Sequence, residues 1–295
     1  MTAATDDRQP LFFVLLGASN LSLGLPQAVG HILDTYPDRD LRIFVAHGPG
    51  RSYGVEAGLL GIRFVGLFSS GIFDAALREK RSVSEATGRE VDVRALLTDI
   101  GNDVMYQTGV ERLLDWVNQS VEKLHSLGAR VAATSLPVES IESIPIWKYR
   151  IVRPLLFPFR PQSLSDVIEQ VHRVQRGLEA AHEEGRVHLL PTRKEWYGFD
   201  PIHLRRRSRK EAFSRWIDAL VGAGRETEAT EDSGPGGGVP PLSRRAKTPA
   251  ARSGLQVSSL KLRLRRPAEY LWLGRRRRGP PEALAVGPRA LLYVF

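Results

Sequence analysis

The apolar run Leu11-Phe12-Phe13-Val14-Leu15-Leu16 ends abruptly at Gly17-Ala18-Ser19, and this junction limits what the chain can fold into. Six consecutive apolar residues bounded by a turn signal read as a strand buried on both faces. The Gly-x-Ser that follows reads as a strand-to-helix turn, delivering a hydroxyl to the end of that strand.

The rest of the chain repeats this alternation. An apolar segment from Leu25 to Leu33 has helical spacing. The turn Tyr36-Pro37-Asp38-Arg39-Asp40 leads to a second strand, Leu41 to Ala46, giving a βαβ opening. Val91 to Thr98 reads as a central strand ending at Gly101-Asn102-Asp103. Val110, Leu113, Leu114, Val117, Val121, Leu124 and Leu127 predict a helix stopped by Gly128, and Arg130 to Leu136 the next strand. Ser163 with Asp166 opens a helix through Leu164, Val167, Ile168, Val171, Val174, Leu178 and Ala181. Arg186 to Leu190 reads as a short strand, and Ser208-Arg209-Lys210-Glu211 as the start of a last helix through Phe213, Trp216, Ile217 and Leu220. The expected fold class is α/β, a parallel sheet between two helical layers.

Charge sets the expected domain boundaries. Residues 225–295 hold 14 Lys or Arg against 6 Asp or Glu, so of the net +9 about +8 lies there and only +1 in residues 1–224. The high pI therefore describes an appendage, and a specific nucleic-acid partner is not expected. Residues 1–10 are expected to be flexible, 11–224 to form the folded domain, and the Gly/Pro/Arg-rich 225–295 to be a disordered tail touching acidic surfaces at most weakly. With no cysteine there is neither a disulfide framework nor a thiolate metal site. The amino-terminal residues lack a signal peptide's basic start, and no stretch approaches the ~20 apolar residues of a membrane span. A cytoplasmic address is the expectation. Oligomeric state is not legible.

Between Pro145 and Pro161 the pattern becomes apolar, aromatic and basic without a clear period. It reads as a long packed loop, or as a lid or acyl-binding wall whose cations could meet anionic lipid head groups.

Three short segments carry the chemistry. Ser19 follows the first strand, Asn102 the central one, and Asp200-Pro201-Ile202-His203 places a carboxylate three residues before an imidazole. A serine hydroxyl needs a base in hydrogen-bonding reach, a group that orients the base, and donors where an oxyanion develops. Ser19 is the candidate nucleophile, His203 the base and Asp200 its orienting carboxylate. The Ser19 N–H and the Asn102 side-chain amide are candidate oxyanion donors. A third is the Gly50 N–H in Gly48-Pro49-Gly50-Arg51-Ser52, where the backbone can approach a ligand closely.

These segments, in this order and at these strand ends, resemble the SGNH hydrolases, the GDSL-type lipase/esterase family. The family's Ser, Gly, Asn and His match Ser19, Gly50, Asn102 and His203, with Asp200 in its Asp-x-x-His position, over about residues 11–222. The resemblance implies a five-stranded, parallel, flavodoxin-like sheet between helices. It implies hydrolysis of a small-molecule or lipid ester through an acyl-serine intermediate, without metal or organic cofactor. Two departures stand out. Gly17-Ala18-Ser19-Asn20 replaces the usual Gly-Asp-Ser-Leu, removing a carboxylate that commonly braces the nucleophile turn. Ile100-Gly101-Asn102-Asp103 moves the glycine of Gly-x-Asn-Asp by one place.

Two other classes compete. Ala18 favours a catalytically inactive binding protein on the same fold. The strand followed by Gly17 to Gly24 superficially suggests a nucleotide-binding oxidoreductase, but Leu21 and Leu23 stand where an open phosphate-binding backbone needs glycine, and no tyrosine has a lysine four residues on.

Overall fold

The structure is a computed structural model that describes residues 9–59, 62–156, 162–198, 200–229, 269–272, 275–278 and 283–295. In chain order the elements are β1 (Leu11–Leu16), α1 (Ser19–Thr35), β2 (Leu41–Ala46), β3 (Ile62–Phe64), α2 (Ile72–Thr87), β4 (Asp92–Leu97), α3 (Val110–Ser126), β5 (Ala129–Thr134), α4 (Val138–Glu142), α5 (Ile146–Leu156), α6 (Leu164–Glu183), β6 (His188–Leu190), α7 (Arg209–Ala229), β7 (Glu269–Trp272), β8 (Arg275–Arg278), β9 (Leu284–Gly287) and β10 (Ala290–Val294).

The main sheet has the order β6-β5-β4-β1-β2-β10-β9, with all neighbours parallel except β9 on β10. Alternation along β1 explains the three layers. Phe12, Val14 and Leu16 point into one core with α2, α3 and α6. Leu11, Phe13 and Leu15 point into the other with α1 and α7. A strand whose side chains all meet a helical layer has no face left for polar residues, hence the unbroken apolar run. The expected α/β/α architecture is therefore present, with β2-β1-β4-β5-β6 in the expected flavodoxin-like order, but the sheet has seven strands rather than five, parallel β10 and antiparallel β9 extending it beyond β2. Ser163 and Asp166 form the anticipated capping box at the start of α6.

The expectations for residues 145–161 and 225–295 need correction. Ile146–Leu156 is a helix rather than a loop, packed through Tyr149, whose hydroxyl donates to Gln162 O at 2.9 Å. α7 runs on to Ala229, and the far end of the basic tail belongs to the sheet. β10 pairs with β2 from Ala290↔Leu41 to Val294↔Val45, burying Leu292 and Val294. Tyr293 stacks on Phe44 with ring centroids 4.8 Å apart. Without β10, β2 would present a bare parallel edge with an uncovered phenylalanine, and that local demand outweighs the basic composition around it. Of the expected tail, residues 230–268, 273–274 and 279–282 lie outside the described residues, as do residues 1–8 of the segment 1–10 expected to be flexible, whereas Pro10 is buried and its carbonyl accepts from Asp92 N–H at 3.0 Å. Among the described residues no helix is long and apolar enough to cross a membrane.

Candidate active site

The strand order reverses between β1 and β4, because β1 is followed by β2 on one side while β4 closes the other. In an open parallel sheet this is where carboxyl-end turns diverge and leave a crevice. Ser19 leaves the end of β1 and Asp99 the end of β4, so the two turns face each other across this point.

The nucleophile turn is held from across the sheet. Ala18, at the N-cap of α1, offers no capping side chain. Asp99 takes that role: its carboxylate accepts from the N–H groups of Ala18 at 2.7 Å, Asn20 at 3.3 Å and Leu21 at 3.2 Å. The Asn20 and Leu21 amides are the second and third donors of the helix, the ones a local N-cap side chain would normally satisfy. Ser22 N–H reaches Ala18 O at 3.0 Å. The Ser19 N–H is then the first-turn donor left without a protein acceptor among the described residues, and it sits at the positive end of the helix dipole. Gly17 is needed here because a Cβ would lie 2.2 Å from Thr98 Oγ1 and 2.8 Å from Leu21 Cβ. The carboxylate missing at position 18 is thus supplied by Asp99, a left-handed residue (φ 62°) that sequence reasoning passed over.

A second bridge fixes the histidine loop. Asn20 Nδ2 donates to Asp99 Oδ1 at 2.7 Å and to Ile202 O at 2.8 Å, while its Oδ1 accepts from Leu204 N–H at 2.8 Å. Residues on both sides of His203 are therefore tied to the residue after Ser19. His203 Nε2 lies 2.8 Å from Ser19 Oγ, and Nδ1 lies 2.5 Å from Asp200 Oδ2. With Asp200 accepting at Nδ1–H, Nε2 is the nitrogen able to take the serine proton.

Electrostatics reinforce this order. Burial disfavours the imidazolium of His203, but the hydrogen bond and charge of Asp200, with the charge of Asp99 beyond, outweigh it and raise the pKa above the ordinary value. Burial likewise works against ionised Asp200. The hydrogen bond and charge of His203, and the backbone N–H groups of Ile202 and His203, overcome it and hold the carboxyl below its ordinary value.

Ser19, Asp200 and His203 therefore come together directly. Asn102 lines the same cavity as Ser19, and its side-chain amide donates to Arg51 O at 2.9 Å, clasping the turn after β2 to the turn after β4. Gly50 sits in that β2 turn at φ 69°, its carbonyl accepting from the Tyr106 hydroxyl, but it is not among the residues lining the cavity. Asp103 completes the clasp. Fully buried, it accepts from Ser52 Oγ and from Tyr53 N–H at 3.0 Å, and burial raises its pKa to about 6. His47, just before the β2 turn, lies buried against Ser22 Oγ at 2.9 Å. Burial, with the charge of Arg51, lowers it to about 4, so it is neutral.

The cavity beside Ser19 has a volume of about 120 Å³. Its lining includes the polar residues Ser19, Thr98, Asn102 and Asp200. It is also walled by Ile141, Ile144, Tyr149, Leu164, Val167 and Val171, from the segment α4 to α6. Among the described residues no cluster of three or more His, Cys, Asp or Glu could hold a metal ion.

No protein-family model matches the chain, and no curated protein is significantly similar to it. Among solved structures it is similar to the psychrotrophic esterase EstA from Pseudoalteromonas sp. inhibited by monoethylphosphonate (13% identity, 72% of this chain and 98% of that one, TM-score 0.40). It is also similar to the acetyl xylan esterase AlAXEase (10%, 70% and 98%, 0.39) and to TesA (13%, 71% and 97%, 0.39).

Proposed function

We propose that the protein is a serine esterase that cleaves carboxylic esters through an acyl-serine intermediate. The observation that carries this reading is the hydrogen-bonded chain from Ser19 Oγ through His203 to Asp200. In the forward step Ser19 Oγ attacks the ester carbonyl as His203 Nε2 takes its proton. Asp200 holds the ring and stabilises the imidazolium. The tetrahedral oxyanion is met by the unclaimed Ser19 N–H, with the second hydrogen of the Asn102 amide and the Gly50 N–H as the other donors. His203 then gives its proton to the leaving alcohol, and a water activated by the same nitrogen releases the acid.

The test uses the full chain with p-nitrophenyl acetate and octanoate, beside a fluorophosphonate probe. Turnover and labelling are expected to depend on Ser19, with Ser19→Ala lowering kcat by roughly 10⁴-fold or more. Folded protein that neither turns over nor labels would exclude the esterase reading and leave the inactive binding protein in its place.

A further inference from the structure

α5 packs one face on the body and leaves an apolar face exposed. Toward the body it presents Lys148 and Tyr149 to the cavity that holds Ser19. On the opposite side Ile146, Trp147 and Ile151 are 51%, 59% and 64% exposed, with Arg150 exposed among them. At 100° per residue, positions 146, 147, 150 and 151 fall within one arc of the helix and 148 and 149 in the other. Three of the four large hydrophobic side chains exposed among the described residues lie on this one helix. A water-facing surface helix places polar residues there instead.

Charge singles out the occupant of this face. From Ser143 to Ser165 the sequence has no Asp or Glu, but it has Lys148, Arg150, Arg153 and Arg160. Isoleucine and tryptophan interleaved with cations, without an acid, suit the boundary between acyl chains and anionic head groups, where the indole sits at the interface and the cations meet phosphate. The loop carrying His203 also borders the cavity and continues into the exposed Arg205, Arg206 and Arg207. The cavity lining itself pairs polar residues, Ser19 and Asn102 among them, with apolar ones such as Val167 and Val171.

We propose that α5 docks the protein on an anionic phospholipid surface through Ile146, Trp147 and Ile151, and that the acyl chain of a lipid ester drawn from that surface lies in the cavity against its apolar wall residues. The second half rests on the esterase reading; the docking does not.

The experiment uses full-length Ser19→Ala protein, so that vesicles are not consumed, with vesicles of phosphatidylglycerol and phosphatidylcholine or of phosphatidylcholine alone. Binding is followed by cosedimentation and by quenching of tryptophan fluorescence with brominated lipid, with Trp147→Phe separating Trp147 from the other four tryptophans. Binding should require phosphatidylglycerol, and Trp147 should supply the quenched signal. Ile146→Glu/Ile151→Glu, both sites exposed, should lower vesicle affinity roughly 10-fold or more. In the Ser19-intact background the same pair should leave p-nitrophenyl acetate turnover unchanged while reducing cleavage of a vesicle-borne ester in step with binding. Undiminished binding by the double variant, or an unquenched Trp147, would overturn the proposal and assign vesicle attraction to the basic residues outside α5. A wild-type dimer that the double variant dissolves, with vesicle affinity unchanged, would overturn it in favour of a second copy of the chain. Absence of p-nitrophenyl acetate turnover in the Ser19 protein would count against the esterase reading alone, since vesicle binding is read without the nucleophile.

Discussion

The side-chain amide of Asn20 donates at once to Asp99 and to the carbonyl of Ile202, so one group couples the nucleophile turn to β4 and to the histidine loop. Asn20→Asp is nearly isosteric but replaces the donor by an acceptor, setting a carboxylate against Asp99 and against a carbonyl oxygen. It is expected to lower kcat by roughly 10²-fold and to cost about 1–3 kcal/mol. Kinetics with p-nitrophenyl acetate and thermal unfolding check both; unaltered kcat would show that His203 is positioned without this bridge.

Asp99 makes a carboxylate at position 18 redundant. Because Asp99 already receives the amides around Ser19, Ala18→Asp places a second carboxylate at a fully buried position in the same turn. Stability should fall by roughly 2 kcal/mol or more, and activity should fall with it. Asp99→Ala leaves the donors of Asn20 and Leu21 uncapped and should destabilise by about 1–2 kcal/mol. A gain of stability in the Ala18→Asp protein, read by calorimetry, would contradict this account.

The pH profile follows from the His203 and Asp200 shifts. Catalysis needs neutral His203, and its pKa is raised, so kcat/KM should climb with pH through a midpoint above 6.5. In Asp200→Asn the raising charge is lost while burial still opposes protonation. The midpoint should therefore move down from that of the unsubstituted protein as the rate drops by roughly 10²–10⁴-fold. A midpoint unchanged between the two proteins would show that Asp200 is not the group acting on His203.

Removing residues 283–295 tests the role of β9 and β10. Val286, Leu292 and Val294 are buried, and Phe295 O accepts from the buried Arg51 at 2.6 Å. Each apolar side chain contributes about 1.5–3 kcal/mol on burial. The truncated chain should unfold at lower temperature and associate through the bared β2 edge. Chemical denaturation and sedimentation give the answer; a chain equally stable and monodisperse would mean that β10 is dispensable.

Much of this architecture was legible because its signals are local. The β1 run, the 3.6-residue spacing of α3 and α6 and the Ser163–Asp166 capping box each express their environment within a few residues. Ser19, Asp200, His203 and Asn102 were legible for a related reason, as each sits where a strand or short turn ends. α5 was not, because isoleucine and tryptophan on its solvent side and Pro145 and Pro154 within the segment hide the usual polar-outside pattern of a surface helix. β10 was not, because five ordinary apolar residues gain meaning only beside β2. Asp99 looked like any acid before a turn.

The sequence by itself determined which residues alternate between the two helical layers, where strands give way to turns, and which side chains could perform acyl chemistry. The tertiary structure alone decided that Asp99, some 80 residues away, caps α1 and leaves the Ser19 N–H unclaimed, and that Asn20 locks the His203 loop. Periodicity is written by contacts that recur at fixed intervals along the chain. Hydrogen bonds across the β1–β4 crevice join residues with no such interval, and only the folded sheet brings them within reach.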